Sequence, residues 1–198
     1  MAATLRNTQT LLTTRLVLVI DTDDPSEYVN PIGDILRVPP SNGMRRAVNA
    51  AFAAYPDEDW YGVIGDDNRF RTPGWDARIE SESGIVYGDD LFQHERIPTA
   101  WFVEGRIVRA LGWLGLPMSD HLYLDNAWQA LGEHMECLHY LPDVVIEHLH
   151  PYAHKAEWDD LYRSRNSVDE YTRDRAGFDT WVRTQLPTDI RRIEACAS

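Results

Sequence analysis

Apolar positions in this chain fall into short unbroken runs alternating with helix-spaced stretches, and several of the runs end in an acidic loop. Leu16-Val-Leu-Val-Ile20 ends in Asp21-Thr-Asp-Asp-Pro25. Such a branched run predicts a strand buried on both faces, as in a parallel sheet. Leu5 to Leu12 reads as a short amphipathic helix ahead of it. Asp23 or Asp24, before Pro25, is placed to cap a short helix through Tyr28. Asp34 to Val38 is a second strand, closed by Pro39-Pro40. Ser41 or Asn42 then caps a helix to about Tyr55, with Met44, Val48, Ala51 and Phe52 on one face.

Trp60 to Ile64 predicts another strand, running directly into Gly65-Asp66-Asp67-Asn68. A helix over Trp75 to Ile79 follows Pro73, and a strand over Ile85 to Tyr87 ends in Gly88-Asp89-Asp90. Thr99 to Leu111 and Leu122 to Gly132 read as helices. Val144 to Ile146 is a last short strand before Glu147-His-Leu-His-Pro151. From Lys155 onward Trp158, Leu161 and Tyr162, then Tyr171, Phe178, Trp181 and Val182, predict helices. The expected architecture is α/β: an open mixed sheet flanked by helices over residues 1–152, with a helical extension over 153–198 packed on it. In such sheets ligands bind at the carboxyl ends of strands.

The 198 residues include 32 acids and 19 lysines and arginines, for a net charge of −13. A hydrophobic fraction of 43% with seven tryptophans excludes a disordered chain. No apolar run approaches the ~20 residues of a membrane span, and no secretory signal is readable. Cys137 and Cys196 form neither a disulfide framework nor a zinc pattern, so a cytoplasmic protein is expected. Acidity argues against broad phosphate-backbone binding, and nucleic acid is not the expected partner. Residues 57–152 hold 18 acids against six bases, so nearly all the excess lies there. It is either a solvated surface or a set of carboxylates converging on a metal or a reacting group.

Asp66-Asp67-Asn68 is the sharpest local feature, because a strand end holds carboxylates above the sheet. Hard divalent cations favour oxygen ligands, and Mg²⁺ or Mn²⁺ takes few carboxylates beside substrate phosphates. His148 and His150 alternate on an extended segment and so share a side, which makes them imidazole ligand candidates. Asp120 is a helix cap or a catalytic acid. Asp125, among Leu122, Leu124 and Trp128, is the stronger general-base candidate, since a carboxylate in apolar company must be paired or functional. Trp75 and Trp101 suit the core first and sugar stacking second. Dinucleotide, P-loop and serine-elbow motifs are absent.

The order of these motifs resembles the GT-A fold glycosyltransferases, in particular a small family-2-like type found in phages and actinobacteria. The residues that carry it are VLVIDTDDP at 17–25, NAAFAAYPDEDWYGVIGDDNRFRTPGWDARI at 49–79, YGDDL at 87–91, SDHLYLDNAW at 119–128 and VVIEHLHPYAHKAEWDDLY at 144–162. The resemblance implies a nucleotide-sugar transferase using Mn²⁺ or Mg²⁺. Asp66, Asp67 and Asn68 match the position of the DxD-type motif, with Asp67 the direct metal ligand. His148, with His150 as partner, matches a downstream histidine that completes the metal site. Asp125 falls near the residue that deprotonates the acceptor hydroxyl, and Asp21 and Asp23 lie near the nucleotide. The acceptor, whether protein, glycan, lipid or modified base, is not readable. Only residues 1–14 precede the Arg15–Ile20 run, room for a helix but not for the strand with which the family begins. A shortened amino-terminus is therefore expected, and an open sheet edge would suit a homo-oligomer or a non-catalytic binding or assembly role. Metal-dependent phosphoester hydrolysis is the further alternative for the same carboxylates.

Overall fold

In the computed structural model, which describes residues 2–28, 33–40 and 43–196, the chain begins with α1 (Ala2–Thr8), β1 (Val17–Asp21), β2 (Asp34–Val38), α2 (Met44–Ala54), β3 (Trp60–Val63), β4 (Asn68–Phe70) and α3 (Trp75–Glu80). It continues through β5 (Ile85–Asp89), β6 (Trp101–Glu104), α4 (Gly105–Leu111), α5 (Leu124–His134), β7 (Leu138–His148), α6 (Asp160–Arg165), α7 (Val168–Thr184) and α8 (Leu186–Cys196).

The chain folds as α/β, with a mixed five-stranded sheet in the order β3-β6-β5-β7-β4. β5 is its centre, antiparallel to β6 and parallel to β7. Successive side chains of a strand point to opposite faces, and β5 uses both. Ile85 packs with Val103, Ile107, Leu131 and Ile193 in one core layer. Val86 packs with Phe70, Trp75 and Phe102 in the other. Helices cover both layers. α7 and α8 belong to the first, where Trp181, Leu186 and Ile193 are buried against α4 and α5, so the carboxyl-terminal helices share the core of the α/β body.

Several elements differ from the sequence expectation. The Leu16–Ile20 run is not a doubly covered strand of the main sheet. β1 pairs only with β2, in a separate parallel two-stranded sheet, and Ile20 alone of its five residues is buried. The run buried on both faces is β5. Thr99 to Leu111 is not one helix, because pairing with β3 and β5 claims Trp101–Glu104 as β6 before α4 begins. The break falls at Gly105, where a Cβ would lie 1.9 Å from the Glu58 carbonyl oxygen. Asp23 and Asp24 start no helix. Asp24 instead accepts from the Ser26 amide and the Tyr28 hydroxyl. Residues beyond Thr8 leave α1, and the buried Asp76 carboxylate gathers the amides of Thr10 and Leu11. α5 starts at Leu124, after Tyr123 at φ 63°. The capping role given to Ser41 or Asn42 lies outside the described residues.

One irregularity sets up the site. Gly88 pairs with Leu141, but the next residue, Asp89, pairs with Val145, so β7 bulges around Pro142. A Cβ on Gly88 would lie 2.3 Å from the Val144 carbonyl oxygen, and only glycine allows that approach. Beyond the bulge β7 pairs antiparallel with β4, which sets His148 opposite Asn68.

Candidate functional site

The three residues after the Gly65 turn owe their arrangement to that β4–β7 ladder. Asn68 is not in a loop, as its sequence position implied, but is the buried first residue of β4. Its Oδ1 accepts the Gly65 amide at 2.6 Å, which closes the turn. A Cβ on Gly65 would lie 2.4 Å from Asp67 Oδ1, so a larger residue there would push the Asp67 carboxylate aside. The Asp67 carbonyl accepts the Leu149 amide at 3.1 Å, and the Asp90 carbonyl accepts the His148 amide at 3.0 Å. The acidic turn and the histidine segment are thereby tied together at backbone level.

Their side chains meet as well. Asp67 Oδ2 lies 3.0 Å from His148 Nε2 and also accepts from the Tyr162 hydroxyl. Burial works to raise the Asp67 carboxyl, but the His148 hydrogen bond and charge, with the Tyr162 hydroxyl, outweigh it and hold the group below the ordinary carboxylate range. Burial and the Asp67 charge push the Tyr162 phenol well up. Two buried polar atoms here, His148 Nδ1 and Asn68 Nδ2, have no hydrogen-bond partner among the described residues. His150 lies between the rings of Phe92 and Tyr152, near-parallel to both, at 5.6 and 5.4 Å. Its Nδ1 accepts the Tyr152 amide, and burial lowers its pKa, which favours the neutral ring. Asp90, fully buried, accepts the amides of Phe92, Gln93 and His94 and so shapes the loop that carries Phe92.

Asp67, Asn68, Phe92, His148, His150 and Tyr162 line a cavity of about 1050 Å³, together with Asp21, Asp23, Asp66 and Asp125. Asp125 sits in the first turn of α5, where burial pushes its pKa up to about 6 against the pull of the Asn126 amide and the charge of His148. The preceding loop is held from α7. Buried Asp174 accepts the amides of His121 and Leu122, both at 2.8 Å, and that of Asp120 at 3.2 Å. Removing this carboxylate strands three amides, so Asp174→Ala is expected to cost about 2 kcal/mol in urea unfolding.

The structure therefore brings together Asp21, Asp23, Asp66, Asp67, Asn68, Asp125, His148 and His150 around one cavity. It does not bring Asp120 there. That carboxylate is held by Arg45 at 2.8 Å and Arg173 at 3.6 Å. Nor does it cap α5, whose amino-terminus has no side-chain cap. Trp75 packs on Phe70 in the core, while Trp101, also buried, reaches the cavity wall. Sequence reasoning missed Tyr162 and Phe92. Tyr162 was counted only as part of an apolar helix face, and nothing local to Asp67 points to a residue so distant in the chain. Tyr162→Phe is expected to raise the Asp67 carboxyl toward its ordinary value, followed by side-chain NMR titration.

Asp67 Oδ2 and His148 Nε2, which share a hydrogen bond, are also spaced as two donors to one cation would be. Cis donors about 2.1 Å from one octahedral ion sit about 3.0 Å apart, which matches Oδ2 and Nε2. Among the described residues no group of three or more histidine, cysteine, aspartate or glutamate side chains converges on one point, so a cation held here needs further ligands from its substrate or water. No described helix is long and apolar enough to cross a membrane. In comparisons with known proteins, no family model matches the chain and no curated protein matches its sequence.

Proposed function

We propose that the chain is a metal-dependent glycosyltransferase of GT-A type, moving a sugar from a nucleoside-diphosphate donor to an acceptor hydroxyl. One observation carries the reading. The cavity is large enough for a nucleotide sugar, yet six aspartates line it (Asp21, Asp23, Asp24, Asp66, Asp67 and Asp125), with Arg165 its single lysine or arginine among the described residues. A bare diphosphate would be repelled from such a wall, whereas one carrying Mn²⁺ or Mg²⁺ is attracted to it.

Asp67 and His148 would hold the cation, with Asp66 and His150 beside them. The ion supplies charge neutralisation at the leaving diphosphate. Asn68 Nδ2 offers a donor to the bound ligand, and the Phe92–His150–Tyr152 stack walls off one side of the site. Asp125 is the base. It takes the proton of the acceptor hydroxyl as that oxygen bonds to the sugar carbon, and the electron pair of the breaking carbon–oxygen bond leaves with the diphosphate. A carboxylate with a pKa near 6 is ionised at neutral pH and still basic enough to accept.

Isothermal titration with a panel of nucleoside diphosphates, with and without Mn²⁺, tests the binding step. Nucleotide binding that requires Mn²⁺ is expected, and its absence across the panel would sink the proposal. Phosphate release from nucleotides without an acceptor would assign the same carboxylates to hydrolysis instead.

A further inference from the structure

A second cavity, of about 650 Å³, separates β1 from β3. It is a partly open cleft rather than an enclosed void. Its two side walls are strand edges. Leu16 accepts from Asp34 and Thr22 donates to Val38, so even-numbered residues of β1 face β2, and the backbone groups of Val17 and Val19 face the cavity. The Gly105 amide donates to Asp59, which makes Tyr61 and Val63 the residues that bond to β6. Trp60, Gly62 and Ile64 therefore turn their N–H and C=O groups toward the same space, and β1 and β3 do not pair with each other. The rest of the lining is mostly apolar, with Met44, Ala47 and Ala51 of α2 and Trp75, Ile79 and Phe102, but it also includes Arg15 and the acids Glu58, Asp59, Asp66, Asp76 and Glu80.

Both edges run the same way. Their carboxyl ends, Asp21 and Ile64, open on the acidic cavity. At the other end Arg15 lies 4.9 Å over the ring of Tyr55, just ahead of β3. We infer that the cleft receives an extended apolar strand from another polypeptide, which lies between β1 and β3 and joins the two sheets into one. Two facing ladders demand an extended main chain, and apolar layers above and below demand an unbroken apolar run. The described apolar runs of this chain are already placed in its own strands and helices, so the strand comes from outside them. This inference stands apart from the transferase reading.

The test uses the full chain and a synthetic peptide of five alternating valine and isoleucine residues behind a two-lysine solubilising tag. Saturating peptide should slow amide hydrogen exchange at least tenfold at Val19, Gly62 and Ile64, with no change at Leu18 and Tyr61, whose amides already face partner strands. N-methylation of every second peptide residue should weaken binding at least tenfold. No added protection at those three amides would overturn the inference. So would peptide binding indifferent to N-methylation, or binding of laurate in the cleft in place of the peptide.

Discussion

Asp125→Asn is expected to stabilise the protein at pH 8 while abolishing its transfer activity. The sign follows from burial. The Asp125 carboxyl titrates at about 6 in the fold, against 3.8 for a free side chain, so the native state binds its proton more tightly than the unfolded chain does. The resulting stabilisation is full below pH 3.8 and is lost as pH climbs through about 6. At pH 8 the fold bears a half-buried, ionised carboxylate on the cavity wall, which asparagine relieves by about 1–3 kcal/mol. At pH 4 wild type and variant should unfold almost alike. Losing the general base should cost roughly 10²–10⁴ in turnover with an identified acceptor, while Mn²⁺-dependent donor binding persists. In the wild type, kcat/KM should rise with pH through about 6 as the base ionises. Full turnover by Asp125→Asn would remove this residue from the chemistry, and equal destabilisation at both pH values would refute its burial as an ionised group.

Asp67→Ala should instead abolish metal-assisted nucleotide binding, by about 100-fold or more, because in the proposed site only two side chains among the described residues, Asp67 and His148, would hold the cation. Its hydrogen bonds to His148 and Tyr162 also disappear, so a control is needed. Asp67→Asn keeps an oxygen for the Tyr162 hydroxyl but lacks the negative charge. It should fold like the wild type in thermal melts and still lose most Mn²⁺ dependence in calorimetry. If Asp67→Asn binds Mn²⁺ and nucleotide as the wild type does, the cation is held elsewhere.

The legible part of this site was the part made by chain neighbours. An Asp-Asp-Asn triplet after Trp60–Ile64 and two alternating histidines after Val144–Ile146 announce themselves by type and by strand-end position. What joined them was not local. β4 is three residues long and begins on Asn68, too short for any periodicity, and its register with His148 depends on a bulge at Gly88. The helix expected over Thr99–Leu111 failed for a related reason. Trp101–Phe102–Val103 suits a helix face or a buried strand, and only the edges of β3 and β5 on either side decide. The α/β class and the helical carboxyl-terminal region were legible because longer stretches carry them. Asp120 and Asp174 illustrate the opposite limit: one binds arginines and the other binds backbone amides, and a bare sequence does not separate those roles from catalysis.

The most direct measurement is manganese anomalous scattering from crystals grown with MnCl₂ and the nucleoside diphosphate that calorimetry selects. The account predicts one manganese peak in contact with Asp67 and His148 and with the diphosphate, and nucleotide occupancy that disappears when manganese is withheld. A diphosphate bound in this cavity with no metal at Asp67 and His148 would contradict it.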